Sequence, residues 1–164
     1  MGDPDEGTDP PARVEALWVK RAKRGPMDAV DRVEFIVRRG IAGNADLGGR
    51  RQVTVLSLDR WRAATAHLDP ALDPALRRAN VLVSGIDLES SRGRTLVLGD
   101  QRLEILGETR PCRLMDFARD GLLAALDARW GGGVYGRALT SGPIRLGDPV
   151  RWAQPEPDGP DGER

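Results

Sequence analysis

Short apolar runs separated by glycine-containing turns make up most of the chain. In several runs apolar side chains occupy every second position, as Val33, Phe35 and Val37 do, and this period of two is typical of half-buried β-strands. The pattern predicts strands at residues 14–19, 33–37, 52–56, 80–83, 95–98, 103–106, 134–139, 144–146 and 150–152. A glycine-led turn follows residue 98, so the fifth and sixth of these strands are predicted to form a hairpin.

Helical periodicity is confined to three segments. One helix is predicted at residues 60–68, a short helical turn ends at Arg78, and an amphipathic helix follows residue 112. The predicted apolar positions of that last helix are Leu114, Ala118, Leu122 and Ala125, with Phe117 and Leu126 beside them. Because helices do not alternate regularly with strands, we expect a mainly β, barrel-like fold with two or three short helices, and not a doubly wound parallel sheet.

Length and composition set the outer limits of the fold. The 164 residues predict one folded unit at residues 13–152, between disordered tails at 1–12 and 153–164 that are dense in proline, glycine and acidic side chains. No apolar run approaches the roughly 20 residues of a membrane span, and the N-terminus does not resemble a secretory signal. We therefore expect a cytoplasmic protein without a membrane partner. The net charge of zero argues against nucleic-acid binding.

Residues 38–51 combine four glycines with two pairs of arginines. Exposed backbone N–H groups and guanidinium groups both bind anions, so one interpretation is an anion site in which Arg39, Arg50 and Arg51 face the same cavity as Cys112. The alternative is an ordinary flexible connection. Only two of the 25 basic residues are lysines, and this skew runs through the whole chain, so composition favours neither interpretation.

Cys112 is the single cysteine, which excludes an internal disulfide and any multi-cysteine metal cluster. It lies at a predicted strand-to-helix junction between Arg110 and Arg113, whose charges favour a thiolate. The alternative is a small buried apolar residue, which is the commonest role of a free cysteine. His67, the only histidine, is predicted on a surface helix and suggests neither a catalytic triad nor a metal site.

Five stretches in this order resemble one family, the molybdenum cofactor sulfurase C-terminal (MOSC) domain. They are RRGIAGNADLGGRRQVTVL (38–56), RRANVLVSGIDL (77–88), GRTLVLGDQRLEILGETRPC (93–112), GGVYGRAL (132–139) and GPIRLGDPV (142–150). The resemblance covers about residues 13–152 and implies a barrel-like MOSC fold. It also implies a role around the molybdenum cofactor, molybdopterin.

Two functions around the cofactor are compatible with the resemblance, and a structural or interaction domain that has lost the cofactor is the third alternative. The first is an oxidoreductase that reduces N-hydroxylated small molecules with electrons from a partner protein, since the sequence contains no flavin, haem or dinucleotide fingerprint. The second is a non-catalytic carrier of the cofactor, or of its sulfur as a persulfide on Cys112, which would need a sulfur-donor protein.

The resemblance also implies site residues. Cys112 matches the family cysteine that gives a thiolate to molybdenum, so it is predicted as both the catalytic residue and the metal ligand. The predicted cofactor-binding residues are Arg39, Asn44, Arg50, Arg51, Asn80, Ser84, Asp87, Arg110, Tyr135 and Arg137. Turn chemistry is the alternative role for Asn80 and Asp87, and barrel packing is the alternative for Tyr135.

The chain departs from the family at one motif. The family often has Gly-Asp-Arg-His where this sequence has Gly43-Asn44-Ala45-Asp46. The aspartate, arginine and histidine of that motif are therefore absent from these positions.

Overall fold

The computed structural model describes residues 11–155, so the tail predictions for residues 1–10 and 156–164 lie outside the described residues. Eleven strands are present in this range. They are β1 (Arg13–Lys20), β2 (Met27–Val30), β3 (Arg32–Ile36), β4 (Gly40–Ile41), β5 (Val53–Ser57), β6 (Val81–Ser84), β7 (Thr95–Leu98), β8 (Gln101–Glu108), β9 (Val134–Ala138), β10 (Gly142–Arg145) and β11 (Val150–Trp152).

The strands form one large sheet and one small sheet. The large sheet has eight strands in the order β11-β7-β8-β9-β5-β6-β1-β2, and the small one has the order β10-β3-β4. Among the described strands β5 and β6 are the parallel pair. The large sheet does not close, but its curvature brings Arg13 into a bridge with Pro149 and the Val14 amide to the Asp148 carbonyl at 2.9 Å. These features confirm the predicted mainly β, barrel-like fold.

The small sheet packs on one face of the large sheet. Its Phe35, Ile41 and Ile144 are buried in one core with Val53 and Leu103 of the large sheet. Such apolar burial contributes about 25 cal/mol for each Å² removed from water, so this core fixes the strand register that the alternating sequence pattern predicts.

Helices cover the opposite face of the large sheet. They are α1 (Leu58–Thr65), a 3-10 helix (Pro74–Arg77), α2 (Leu114–Ala118) and α3 (Leu122–Leu126). Ser57 caps α1, because its hydroxyl oxygen accepts a hydrogen bond from the Arg60 amide at 3.1 Å. Trp61 is the largest buried side chain of this layer and donates its indole N–H to the Leu72 carbonyl at 2.9 Å. None of the helices within the described range is long and apolar enough to cross a membrane.

The predicted hairpin is present as β7 and β8. Leu98 pairs with Gln101, so the turn consists of Gly99 and Asp100. Gly99 has a φ of +62°, which is the left-handed region that a two-residue hairpin turn requires and that glycine adopts readily. The sequence therefore predicts this hairpin correctly, although β8 extends two residues beyond the predicted strand at each end.

Two short strands, β2 and β4, were not predicted from the sequence. The half-exposed β2 lacks an alternating pattern and exists because it pairs with β1 along Lys20–Met27 and Leu17–Val30. The two-residue β4 lies in the glycine–arginine segment and pairs with β3. Both depend on a neighbouring strand for their conformation, and this dependence leaves no local signal.

The prediction of a single helix after Cys112 is wrong. The helix is interrupted between α2 and α3 at Gly121, whose φ of +87° is outside helical geometry. The break changes which side chains are buried: Leu114 is 63% exposed and Phe117 84% exposed, whereas Met115, Leu122 and Leu126 face the core. Continuous helical periodicity across a glycine therefore assigns the wrong residues to the buried face.

This burial pattern predicts opposite outcomes for two apolar residues of the same segment. Leu126→Ala should lower the free energy of unfolding by about 2–5 kcal/mol, because it opens a cavity against the sheet. Phe117→Ala should change it by less than about 0.5 kcal/mol, since the ring is exposed. Urea denaturation of both variants gives the comparison, and equal losses would contradict the two-helix arrangement.

Candidate functional site

Cys112 lies four residues beyond the end of β8 and is exposed. The strand geometry continues one residue past β8, because the Thr109 amide donates to the Gly133 carbonyl at 2.8 Å. Beyond the cysteine, the Met115 amide donates to the Cys112 carbonyl at 2.9 Å. The thiol thus lies on a short, hydrogen-bonded connection between a strand and a helix, and the buried-residue alternative for Cys112 does not describe it.

Arg77 holds this connection from the helical side. Its Nε donates to the Gly132 carbonyl at 2.9 Å and its Nη2 donates to the Thr109 carbonyl at 3.0 Å. One guanidinium group therefore joins the residue that follows β8 to the segment that precedes β9. The fork of donors in an arginine suits this two-point contact, which a lysine ammonium would not reproduce.

Gly132 leaves space for this contact. A Cβ atom built on Gly132 would overlap the Thr109 carbonyl oxygen and lie 3.1 Å from Pro111 Cδ and 3.2 Å from Arg77 Nη2. The nearby Thr109 is 9% exposed, and its hydroxyl oxygen has no hydrogen-bond partner among the described residues. A buried hydroxyl without a partner is uncommon in folded proteins, so this one marks a polar site beside the cysteine segment.

The charges of three residues act on one another here. Burial lowers the pKa of Arg77, the negative charge of the Cys112 thiolate acts to raise that pKa, and the positive charge of Arg51 acts to lower it. Cys112 and Arg51 are therefore both electrostatic neighbours of Arg77. Arg51 also lines a cavity.

That cavity has a volume of about 180 Å³ and a strongly polar lining. Its wall consists of Lys20, Met27, Asn44, Asp46, Arg51, Thr54, Arg78 and Asn80. Lys20 Nζ pairs with the Asp46 carboxylate at 2.7 Å, which leaves the positive charges of Arg51 and Arg78 without a carboxylate partner inside the described range. We call this site the arginine cavity. Its excess positive charge favours an anionic group.

Two buried asparagines form the base of the arginine cavity. Asn80 Oδ1 accepts from the Thr54 amide at 3.1 Å and from the Thr54 hydroxyl at 3.2 Å, while Asn80 Nδ2 donates to the Trp18 carbonyl at 3.2 Å. Asn80 Nδ2 also lies 3.2 Å from Asn44 Oδ1, which accepts from the Lys20 amide at 2.9 Å. This network joins β1, β5 and β6 to the glycine–arginine segment.

Arg50 and Arg51, at the end of the glycine–arginine segment, lie beside Tyr135. The Arg51 guanidinium lies 5.2 Å and the Arg50 guanidinium 5.9 Å from the centre of the Tyr135 ring, which is within the range of cation–π attraction. Arg50 Nε also donates to the Tyr135 hydroxyl at 3.3 Å. Arg39 packs against Gly48 within its own loop. Of the three predicted anion-binding arginines, Arg51 is the one that lines the arginine cavity.

Two predicted residues pair with acidic side chains on the surface. Arg110 Nη2 contacts the Asp127 carboxylate at 3.4 Å, and Arg137 Nη2 contacts the Glu104 carboxylate at 2.6 Å. The Arg110 side chain is largely exposed, and that of Arg137 is about half exposed. Arg110 thus has a partner other than the thiol that it precedes by two positions.

Ser84 and Asp87 line a second cavity of about 720 Å³ at the other end of β6 from Asn80. The other lining residues are Arg13, Glu15, Ser57, Leu58, Asp59, Arg60, Arg62, Gly85 and Ile86. This larger cavity shares no lining residue with the arginine cavity, and its three arginines are matched by three carboxylates. The smaller cavity therefore has the larger excess of positive charge, and it is the one lined by Arg51, which acts electrostatically on Arg77 as Cys112 does.

Three site residues were missed by sequence analysis. Arg77 and Arg78 lie in a matched stretch but were predicted only as the end of a helical turn, and Lys20 was not predicted as a site residue. The adjacent arginines have different partners, because Arg78 has a left-handed φ of +64° and its Nη2 contacts the Gly25 carbonyl at 2.6 Å. Position in the sequence alone does not reveal that change of direction.

The ligand chemistry of the site is that of one thiol with arginine and amide donors. No group of three or more histidine, cysteine or acidic side chains that could hold a metal ion occurs within residues 11–155. A metal at Cys112 would therefore need other ligands from a cofactor. The arrangement can bind an anion, donate amide hydrogen bonds and offer a soft thiolate.

Comparisons with known proteins identify the family. The family model of the MOSC domain matches residues 42–151, whereas the sequence matches no curated protein. The fold is similar to that of the YuaD protein from Bacillus subtilis, with a TM-score of 0.72 and 23% identity over 85% of this chain and 93% of that one.

Two further solved structures have the same fold. YiiM from Geobacillus stearothermophilus has a TM-score of 0.69 and 16% identity, covering 93% of this chain and 78% of that one. YiiM from Escherichia coli has a TM-score of 0.65 and 12% identity, covering 88% of this chain and 71% of that one. At these identities the likeness concerns the fold. Because the family model covers more than half of the sequence, the chain belongs to the MOSC domain family.

Proposed function

We propose that the protein binds the molybdenum cofactor between Cys112 and the arginine cavity, and that it reduces N-hydroxylated small molecules with electrons from a partner protein. One observation carries the proposal: an exposed thiol, that of Cys112, and a cavity-lining arginine, Arg51, both act electrostatically on the same partly buried guanidinium group, that of Arg77. The cofactor presents both a phosphate and a thiophilic metal, so it matches both ends of this arrangement.

The chemistry of the residues fits the cofactor. Arg51 and Arg78 would hold its phosphate, and each charge-assisted hydrogen bond contributes about 1.5–3 kcal/mol. Asn44 lines the same cavity, and its amide nitrogen could donate to the same phosphate, whereas the Asn80 amide is occupied by Thr54, Trp18 and Asn44. The unpartnered Thr109 hydroxyl supplies a further polar contact beside the cysteine segment. These donors make the site complementary to an anionic, hydrogen-bonding ligand.

Cavity size limits which part of the ligand the arginine cavity can hold. Its volume of about 180 Å³ is below the roughly 300–1,000 Å³ that is usual for pockets of cofactors and drug-sized ligands. The cavity therefore suits one end of the cofactor. Because Cys112 is exposed, the thiol is accessible to the metal-bearing end of a ligand whose other end lies in the cavity.

The residues have distinct roles in the proposed reaction. When bound, the cofactor supplies a metal centre that accepts and donates two electrons. Cys112 would coordinate that metal through its thiolate, and Arg51 and Arg78 would anchor the phosphate end. Reduction of an N-hydroxylated compound breaks its N–O bond, consumes two electrons and two protons, and releases the amine or imine product and water. The electrons come from a donor protein.

A sulfur carrier is the second candidate function. The exposure of Cys112 favours it, because a persulfide has to be accessible to both a donor and an acceptor protein. This function requires the thiol and does not require substrate access to a bound metal. Mass spectrometry of protein purified without reductant distinguishes the two: a persulfide on Cys112 in a protein free of molybdenum supports the carrier.

The cofactor proposal predicts selective losses of molybdenum from arginine variants. After expression in cells that synthesise the cofactor, Arg51→Met and Arg78→Met should each weaken cofactor binding roughly 10- to 100-fold, because each removes a charge-assisted contact. Arg62→Met is the matched control, since Arg62 lines the larger cavity. Metal analysis provides the measurement, and equal molybdenum contents in all three variants would contradict the assignment of the arginine cavity.

A second prediction concerns the thiol. Cys112→Ser should abolish molybdenum coordination by the side chain and eliminate reductase activity, because a hydroxyl is a hard and weakly acidic group. Its melting temperature should stay within about 2 °C of the parent protein, since exposed substitutions change stability by less than about 0.5 kcal/mol. Calorimetry and metal analysis test both statements. A variant that keeps its full activity would exclude Cys112 from the reaction.

A further inference from the structure

Arg77 is partly buried, and among residues 11–155 it pairs with no acidic side chain. Charged groups that leave water are normally paired, because desolvation of an unpaired charge is costly. The guanidinium of Arg77 instead donates to two neutral carbonyl groups, those of Thr109 and Gly132. These contacts satisfy part of its hydrogen-bonding capacity but not its charge.

An anion near Arg77 would complete this arrangement. The anionic form of Cys112 is the negative charge that acts on Arg77, while Arg51 adds a second positive charge. Arg110 and Arg113 are closer to the cysteine in sequence, but Arg110 pairs with Asp127 on the surface. The helix that follows provides little help, because α2 has five residues and begins two positions after the thiol.

We propose that Arg77 is the positioning residue of Cys112: its two carbonyl contacts fix the segment from which the thiol projects, and it adds a positive charge to the surroundings of the sulfur. The inference deepens the proposed function and rests on it, because it takes Cys112 as the working group of the site. Arg77 itself touches neither the metal nor the substrate in this proposal. It acts through the position and electrostatic surroundings of the sulfur.

Two measurements on the full chain without cofactor separate these contributions. Amide hydrogen exchange at Thr109 and Met115 reports how firmly the cysteine segment is held, with the Trp18 amide, bonded to the Asn80 carbonyl at 2.8 Å, as a distant reference. The ratio of the alkylation rates with iodoacetate and iodoacetamide reports the local positive charge. Both reagents react with the same thiolate, so the ratio is independent of the ionised fraction of the thiol.

Substitution of Arg77 by methionine removes both contributions. In Arg77→Met we expect exchange at the Thr109 and Met115 amides to accelerate about tenfold, with the Trp18 amide unchanged, because the two carbonyl contacts are lost. The iodoacetate-to-iodoacetamide ratio should fall about threefold, because an anionic reagent loses the attraction of a nearby cation. If either the exchange rates or the ratio match those of the parent protein, the proposal is overturned.

A conservative variant and a sequence neighbour serve as controls. Arg77→Lys keeps the charge but lacks the planar fork, so we expect its alkylation ratio near that of the parent protein and its exchange at Thr109 accelerated. This variant also tests the proposal if Arg77→Met does not fold, and parent-like exchange in Arg77→Lys would contradict it. Arg110→Met should change neither quantity, and an effect equal to that of Arg77→Met would remove any special role from Arg77.

The test of Arg77 can fail or succeed independently of the test of cofactor binding. Neither readout requires molybdenum, so a protein that never loads the cofactor can still show the predicted effects of Arg77→Met. Conversely, normal molybdenum loading in a protein whose Arg77 variants leave exchange and alkylation unchanged overturns this inference and leaves the cofactor proposal intact.

Discussion

The side-chain amide of Asn80 makes contacts on which both the sheet and the arginine cavity depend. It lies directly before β6, accepts from the backbone and hydroxyl of Thr54 in β5, and donates to the Trp18 carbonyl in β1. Three strands are thus joined by one buried polar group with all its principal partners present. Because a buried amide without these partners would be costly, the residue fixes the relative position of the strands, and its contact with Asn44 fixes the loop above them.

Charge is distributed unevenly over this electrically neutral chain. Several ion pairs within the described residues, such as those of Arg32 with Glu34 and Arg21 with Asp28, join side chains that are about half exposed, and pairs of this kind contribute about 0–1 kcal/mol each. Within the described residues, Arg51 and Arg78 instead line one cavity, Arg77 contacts two carbonyl groups beside the cysteine segment, and none of the three has a carboxylate partner. Zero net charge therefore conceals a local positive potential, which the overall composition could not predict.

Elements that depend on interactions between neighbouring residues in sequence were predicted correctly, and elements that depend on pairing with a distant strand were not. The β7–β8 hairpin is predictable because its turn requires a left-handed residue that glycine supplies locally. The core strands are predictable because their alternation records which face is buried. By contrast, β2 and β4 depend on pairing with β1 and β3, and no local pattern encodes that pairing.

The candidate site divides in the same way. Cys112, Arg51, Asn44 and Asn80 could be selected from the sequence, since a resemblance marks positions in matched stretches. The sequence did not show that Asn80 and Ser84 belong to different cavities. This became evident only from the fold, in which β6 separates the two residues by about 13 Å, the length of four strand residues. The role of Arg77 could be recognised only from its side-chain contacts. It donates to the carbonyls of Thr109 and Gly132, which are 32 and 55 positions away in sequence.

The unusual motif at residues 43–46 has a structural consequence. Where the related sequences often have aspartate, this chain has Asn44, whose oxygen accepts from Asn80 and from the Lys20 amide. Asp46 then pairs with the Lys20 side chain, so this segment contributes no free cation to the cavity. The positive charge comes instead from Arg51 at the end of the loop and from Arg78 before β6. Residues from two distant segments therefore provide the unpaired positive charges of the cavity, and the Asn44–Asn80 contact holds those segments together.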